Sequence, residues 1–150
     1  MLSNVLCGQG IRVSELIKMS QLNDAEIESF LNEKECQIEN TTEDKYSTTL
    51  IYTHSFPKFY VGISNFNVGC KIFYCDFRDT KFYNSQKLEA VKLGFKYIRK
   101  DIDSSGASLS EKHKSIVYVY IKGENKISFF TQIFEDRIQY EIAYAYKCHD

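Results

Sequence analysis

Short strand-like segments, gathered in two groups of three, are the feature that most constrains the fold of this chain. The first group covers residues 46–53, 58–64 and 68–77, and the second covers 115–121, 126–134 and 137–147. Connections this short join antiparallel neighbours. Eleven Tyr, eleven Phe and a single proline favour sheet further, because aromatic side chains fit a pleated, half-buried surface. The sequence therefore predicts a mainly antiparallel sheet.

Helical segments precede both groups of strands. Asn23 and Glu26 form a capping-box pattern that predicts a helix over 24–36. A shorter helix over 13–19 is predicted before it, and a polar connector over 39–45 after it. A second long helix is predicted from about residue 84 to residue 102. It rests on an apolar stripe at helical spacing, formed by Leu88, Val91, Phe95, Ile98 and Ile102.

The resulting order of elements is α-βββ-α-βββ. We expect a single α+β domain over residues 1–150, with one block at about 13–77 and a second at about 84–147. A length of 150 residues is typical of one domain. We expect the helices to pack on one face of the sheet, because a sheet with an apolar face buries that face against other elements.

The chain has five cysteines, which are Cys7, Cys36, Cys70, Cys75 and Cys148. Their odd number and irregular spacing do not indicate a disulfide framework, and the first residues do not form a secretory leader. No segment approaches the roughly 18 consecutive apolar residues of a membrane-spanning helix. We therefore expect free thiols, a cytoplasmic location and no membrane association.

Residues 24–44 carry the most uneven charge in the sequence. Eight acidic residues stand against one basic residue, Lys34, so this segment has a net charge of −7 while the whole chain has −1. An exposed field of one sign speeds association with a surface of the opposite sign and selects the partner. We therefore predict that a basic protein binds here. The candidate partner-binding residues are Asp24, Glu26, Glu28, Glu33, Glu35, Glu39, Glu43 and Asp44.

The cysteines and histidines do not form a metal-binding motif. Cys70 and Cys75 point to opposite faces of a regular strand, and Cys148 has no CxxC partner of the kind that zinc sites use. We predict neither a metal nor a cofactor.

Residues that could act in catalysis are scattered along the chain. Asp76 and Asp79 stand near a strand end, His54 in a turn and His113 at the end of a polar loop. No nucleophile motif such as G-x-S-x-G surrounds them, and the third histidine, His149, is next to the last residue. A small hydrolase or nuclease that brings His54, His113, Asp76 or Asp79 together in the fold stays open as an alternative.

Nucleic acid is not the expected partner. The predicted helix over 84–102 is rich in Lys and Arg, and nearby tyrosines could stack on bases. However, the chain as a whole is mildly acidic, whereas dedicated nucleic-acid binders carry a strong basic excess.

These observations favour a non-catalytic protein-binding module. The leading hypothesis is a bacterial immunity-type or antitoxin-like inhibitor, which neutralises a basic toxin domain such as a nuclease through its acidic surface. An alternative comes from the order helix, three strands, helix in the middle of the chain. This order resembles that of small type III secretion chaperones, which dimerise and hold an unfolded client, and it implies a chaperone or adaptor.

Overall fold

The computed structural model describes residues 10–103 and 114–148, which form three helices and one eight-stranded sheet. The helices are α1 (Val13–Met19), α2 (Asp24–Glu33) and α3 (Thr80–Lys92). The strands are β1 (Gln37–Glu43), β2 (Ser47–Ser55), β3 (Lys58–Phe66), β4 (Lys71–Phe77), β5 (Lys96–Asp103), β6 (Lys114–Lys122), β7 (Asn125–Ile133) and β8 (Ile138–Tyr146). All neighbouring strands are antiparallel, so the predicted α+β class is confirmed.

The two halves of the chain meet in the middle of the sheet. The strand order is β1-β2-β3-β4-β8-β7-β6-β5, so each half is a four-stranded meander and the last strands of the two meanders pair. That central pairing runs from Lys71 opposite Tyr146 to Phe77 opposite Tyr140. Each block is therefore a helical segment followed by four strands, not the three that the sequence predicts.

The strand missed in the second half is β5, because the predicted helix over 84–102 is wrong beyond residue 92. A Schellman motif ends α3: Gly94 has φ of 89°, and the Gly94 and Phe95 N–H groups bond to carbonyls of the last helical turn. The side chain of Phe95 is buried just beyond this stop. The glycine thus divides the predicted helix into α3 and β5.

The apolar stripe that predicted this helix does not face the core. Leu88 and Val91 on α3 are 65% and 56% exposed, and Ile98 and Ile102 on β5 are 51% and 58% exposed. Of the five stripe residues only Phe95 is buried.

The strand missed in the first half is β1, which occupies most of the predicted polar connector. Its seven residues are all exposed, because β1 is an edge strand with only β2 as a neighbour. The preceding helix, α2, begins as predicted but ends at Glu33 instead of residue 36. It closes like α3, with Glu35 at φ of 59° and the Cys36 N–H bonded to the Leu31 carbonyl.

Helices lie on one face of the sheet, as predicted, and we call this the covered face. Its strand residues form the core together with buried side chains of the helices. The largest fully buried side chains are Tyr144, Phe73 and Phe129. α1 is fixed to α3 by a hydrogen bond from the Val13 N–H to the Gln86 side chain. Within the described ranges, none of the helices has the length and apolar character needed to span a bilayer. The other side of the sheet is called the open face below.

The expectation of free cysteines is wrong for two of them. Cys70 and Cys148 form a disulfide, with their Cα atoms 4.7 Å apart. Cys70 directly precedes β4, and Cys148 lies two residues after β8. The pairing of β4 with β8 therefore brings the two cysteines together. Cys75 is a free, buried thiol, Cys36 is buried as well, and Cys7 lies outside the described residues. Disulfides are typical of oxidising compartments, which is at odds with the predicted reducing one.

The two short connections predicted between the strands of the second half are tight turns. β6 and β7 are joined by a two-residue turn between Lys122 and Asn125, with Gly123 at φ of 59°. β7 and β8 are joined by a turn closed by a hydrogen bond from the Phe134 N–H to the Arg137 carbonyl.

Candidate binding groove

A groove crosses the open face of the sheet where β3, β4 and β8 lie side by side. It consists of two adjoining cavities of about 670 Å³ and about 500 Å³. Tyr60, Asp76 and Gln139 line both cavities and come from these three central strands. The two cavities are therefore parts of one surface depression, which we call the groove.

Strand alternation puts polar side chains into this groove. Successive residues of a strand point to opposite faces, and Phe73 and Cys75 of β4 are buried on the covered face. Tyr74 and Asp76 consequently lie on the open face. The same alternation places Glu141 of β8 there, directly opposite Asp76 in the β4–β8 ladder.

Asp76 and Glu141 form a hydrogen-bonded carboxyl pair, which is the most unusual electrostatic feature of the molecule. Burial raises the pKa of Glu141 to about 8, and the neighbouring charge and hydrogen bond of Asp76 add to the effect. Burial also raises the pKa of Asp76, while its hydrogen bond with Glu141 acts in the other direction. Glu141 is therefore protonated at neutral pH and donates to Asp76, so the pair keeps one proton.

Two tyrosines stand beside the carboxyl pair. Tyr74 lies across Gly62 of the adjacent strand, where a Cβ atom would overlap the tyrosine ring. Burial raises the pKa of the Tyr74 hydroxyl, and the charges of Asp76 and Glu141 raise it further, which places Tyr74 in their field. The other tyrosine, Tyr60, lines both halves of the groove.

The two ends of the groove differ in charge. The acidic end is the cavity of about 500 Å³, where Glu39 and Asp76 are the charged lining residues. The mixed end is the larger cavity, where Lys58 and Arg78 lie among acidic and apolar residues. The complete lining of the acidic end is Glu39, Asn40, Ile51, Tyr60, Tyr74, Asp76 and Gln139.

The chemistry of the acidic end suits recognition of a cation. Asp76 and Glu39 offer carboxylate oxygens there, and tyrosine rings attract positive charge through their faces. The Lys58 ammonium already lies over the Tyr60 ring, 5.3 Å from its centroid. The hydrogen bond between Asp76 and Glu141 leaves no space for a sugar and a water between them. Glycosidases need two carboxyl groups at least about 5 Å apart, so this pair does not have their geometry.

The eight predicted partner-binding acids are all exposed. They occupy α2, the turn after it, the edge strand β1 and the start of the following turn. Asp24 lies 3.6 Å from the Lys71 ammonium, and Glu35 lies 3.7 Å from the His54 ring. Glu39 stands at the bulge of β1 and lines the acidic end of the groove. The acids on β1 therefore lie at the sheet edge, whereas Asp24 lies near the start of the central strand β4.

The residues considered for catalysis are not brought together where the structure describes them. His54 is buried on the covered face, where it stacks on Phe59 and its Nδ1 bonds to the Pro57 carbonyl. Asp76 lies on the opposite face, and Asp79 accepts a hydrogen bond from the Phe82 N–H at the start of α3. His113 and His149 lie outside the described residues. Over residues 10–103 and 114–148, no three His, Cys, Asp or Glu residues are grouped to hold a metal ion.

The sequence predicts one member of the carboxyl pair but misses the other. The sequence identifies Asp76 as an acid near a strand end, while no motif singles out Glu141. The partnership depends on the pairing of β4 with β8, which are far apart along the chain. The signal in the sequence is an acid in the middle of a strand whose neighbours are apolar.

Comparison of this chain with protein-family models, with curated proteins and with solved structures found no match.

Proposed function

We propose that the chain is a non-catalytic module that binds and masks a basic protein domain, in the manner of a bacterial immunity-type or antitoxin-like inhibitor. The proposed partner is a basic toxin domain, for example one that cleaves nucleic acid. One observation carries the proposal: all eight acids of residues 24–44 are exposed, on α2, on the turn after it and on or just beyond the edge strand β1.

Little of this negative charge is neutralised within the chain. Lys34, the one base in the segment, pairs with Glu15 on α1 instead of with any of the eight acids. Apart from Asp24 and Glu35, none of the eight forms an ion pair with a residue in the described ranges. A field of this kind steers a cationic partner to the β1 edge and repels phosphate.

The charge reversal Glu28→Lys, Glu33→Lys and Glu43→Lys tests this proposal. We expect the triple variant to lose capture of a basic partner from extract of the source cells, because the attractive field becomes repulsive. These positions avoid Glu26, which closes the capping box of α2, and Glu35, which contacts His54. Native pull-down at low and high salt, read by mass spectrometry, measures the loss.

A matched control makes the same change in net charge on turns of the other half of the sheet. Glu124→Lys, Glu135→Lys and Asp136→Lys alter exposed residues of the β6–β7 and β7–β8 turns. This control variant should bind like the wild type. Equal capture by both triple variants, or capture that salt does not weaken, would contradict an electrostatic interface at the β1 edge.

A chaperone or adaptor is the second candidate function, and the exposed apolar side chains of α3 and β5 favour it. Leu88, Val91, Ile98 and Ile102 are each more than half exposed, and exposed apolar surface commonly marks interaction sites. A secretion-type chaperone of this size would be a dimer in sedimentation analysis. A strict monomer would exclude it.

We propose the cytoplasm as the place of action. The Cys70–Cys148 disulfide counts against this proposal, and the redox state of the two cysteines in cells provides the check. A reducing cytoplasm keeps thiols reduced, so both cysteines should be alkylated when living cells are quenched with a thiol reagent. A disulfide already present at quenching would instead indicate an oxidising compartment.

A further inference from the structure

We propose that two copies of this chain pair through the outer edge of β5, around a twofold axis that passes through the sheet at Lys100. The pairing joins two eight-stranded sheets into one and leaves β1 of each copy at an outer end. This inference goes beyond the proposed function, because it concerns the edge of the sheet opposite to β1 and needs no basic partner.

β5 has an open hydrogen-bonding edge. It is the last strand of the sheet and pairs with β6 alone within the described residues. The N–H and C=O groups on the outer side of such a strand are a template for a further strand. β1 is the other edge strand, but its charged residues, Glu39 and Glu43, are both acidic, so two copies of β1 would repel each other. β5 is therefore the edge that a second copy fits.

Exposed apolar side chains are concentrated at this end of the sheet. Tyr97, Ile98 and Ile102 of β5 are each more than half exposed, and so are Leu88 and Val91 of α3. Exposed apolar surface of this kind commonly marks an interaction site, because its removal from water favours association. The apolar side chains of β5 lie on the same strand as the open edge, so one contact can satisfy both.

α3 lies on the covered face next to this edge. The ammonium group of Lys87 on α3 lies 3.7 Å from the centroid of the Tyr118 ring on β6, and that of Lys100 on β5 lies 5.7 Å from it. Lys100 is therefore on the covered face, and strand alternation puts Ile102 on the same face. The exposed side chain of Ile102 consequently lies on the side of the sheet that carries α3 and its exposed apolar residues.

The charges of β5 are self-complementary in an antiparallel pair. With the axis at Lys100, Arg99 lies opposite Asp101 of the second copy, Ile98 lies opposite Ile102, and the twofold symmetry repeats both pairs. Within one chain, Arg99 Nε bonds to Asp101 Oδ2 at 2.8 Å. A guanidinium group has five N–H donors, so each arginine can bond to both aspartates, and two ion pairs become a network of four charges.

The neighbouring registers bring like charges together at the axis. Opposing side chains of a continuous sheet share a face, so the axis passes through a residue and puts that residue opposite its own copy. At Arg99 or Asp101 this places two arginines or two aspartates side by side. At Lys100 two lysines meet, but each ammonium group lies over the ring of Tyr118 on β6, on the inner side of β5. The register at Lys100 is therefore the favoured one.

Sedimentation equilibrium of the full chain and of two exposed charge variants tests the inference. We expect the wild type to show a monomer–dimer equilibrium that depends on concentration. Arg99→Asp alone and Asp101→Arg alone should each raise the dimer dissociation constant roughly tenfold or more, because all four charges of the network then have one sign. An equimolar mixture of the two variants should form dimers again, since the acidic copy and the basic copy are complementary.

Arg12→Asp is the matched control, because Arg12 is exposed at the start of α1, where aspartate is a favoured N-cap residue. This control should dimerise like the wild type. Hydrogen exchange gives a second readout: the amides of β5 should gain protection as the concentration rises, while those of β1 should not. A chain that is monomeric at every concentration, a mixture that does not dimerise, a dimer that neither substitution weakens, or growth beyond a dimer would overturn the proposal.

Discussion

The folded chain should lose stability as the pH rises from about 4.5 to about 8, and Glu141→Gln should remove most of that loss. Glu141 has an ordinary pKa of 4.5 and a folded pKa of about 8, so the folded state binds more protons than the unfolded state between these values. Protonation therefore stabilises the fold at the acid end of this range. Each pH unit within it costs at most about 1.4 kcal/mol of unfolding free energy.

Urea unfolding followed across this pH range measures the effect. The glutamine side chain can donate a hydrogen bond to Asp76 as the protonated acid does, but it never acquires a charge. The variant should therefore exceed the wild type in stability by several kcal/mol above pH 8, where the wild type must bury two charges. The lowered pKa of Asp44, which its hydrogen bonds to the Tyr46 and Ser47 N–H groups cause, acts only below pH 3.8 and leaves this range undisturbed.

Glu124→Gln is the matched control for this prediction, because Glu124 is an exposed residue of the β6–β7 turn. It should keep the pH dependence of the wild type. If Glu141→Gln also kept that dependence, the carboxyl pair would not be the group that couples folding to protons.

Reduction of the Cys70–Cys148 disulfide should produce the other large effect. The two cysteines are 78 residues apart in sequence, and cross-links across loops of this length stabilise a fold by about 4 kcal/mol in the chain-entropy model. We expect dithiothreitol, or the substitution Cys148→Ser, to lower the free energy of unfolding by about 2–4 kcal/mol. Urea unfolding with and without the reductant measures it.

The variant provides its own control in this experiment. Because Cys148→Ser already lacks the Cys70–Cys148 cross-link, the reductant should not change its stability any further. An unchanged stability of the wild type on reduction would show that the disulfide does not constrain the chain.

Local signals in the sequence predict much of the fold. The capping box of Asn23 and Glu26 places the start of α2 correctly, and both hydrogen bonds of the box are formed. The short connections predict antiparallel pairing, and the turn at Gly123 is where the sequence puts it. These features depend on a few neighbouring residues, which is why they can be identified without the rest of the molecule.

The two errors in the predicted fold have different causes. The stripe over 84–102 has helical spacing in both α3 and β5, but Gly94 ends the helix and the residues beyond it form an edge strand. β1 was missed because an edge strand with seven exposed residues has no apolar alternation to reveal it.

The candidate site depends on contacts between distant parts of the chain. Glu141 and Asp76 become partners only through the pairing of the two meanders, and the same pairing joins Cys70 to Cys148. No spacing of residues in the sequence predicts which residues of β4 and β8 lie opposite each other. The acidic segment, in contrast, is visible from composition alone, and the structure shows that its eight acids are exposed.

The proton held by Asp76 and Glu141 on the open face decides the predicted pH dependence of stability. Carbon-13 NMR of the side-chain carboxyl carbons, followed from acid to alkaline pH and assigned with Asp76→Asn and Glu141→Gln, measures this proton. We expect the Glu141 carboxyl to titrate near pH 8, well above its ordinary value of 4.5. Titration of Asp76 and Glu141 near their ordinary values of 3.8 and 4.5 would contradict a shared proton and, with it, the predicted coupling of stability to pH.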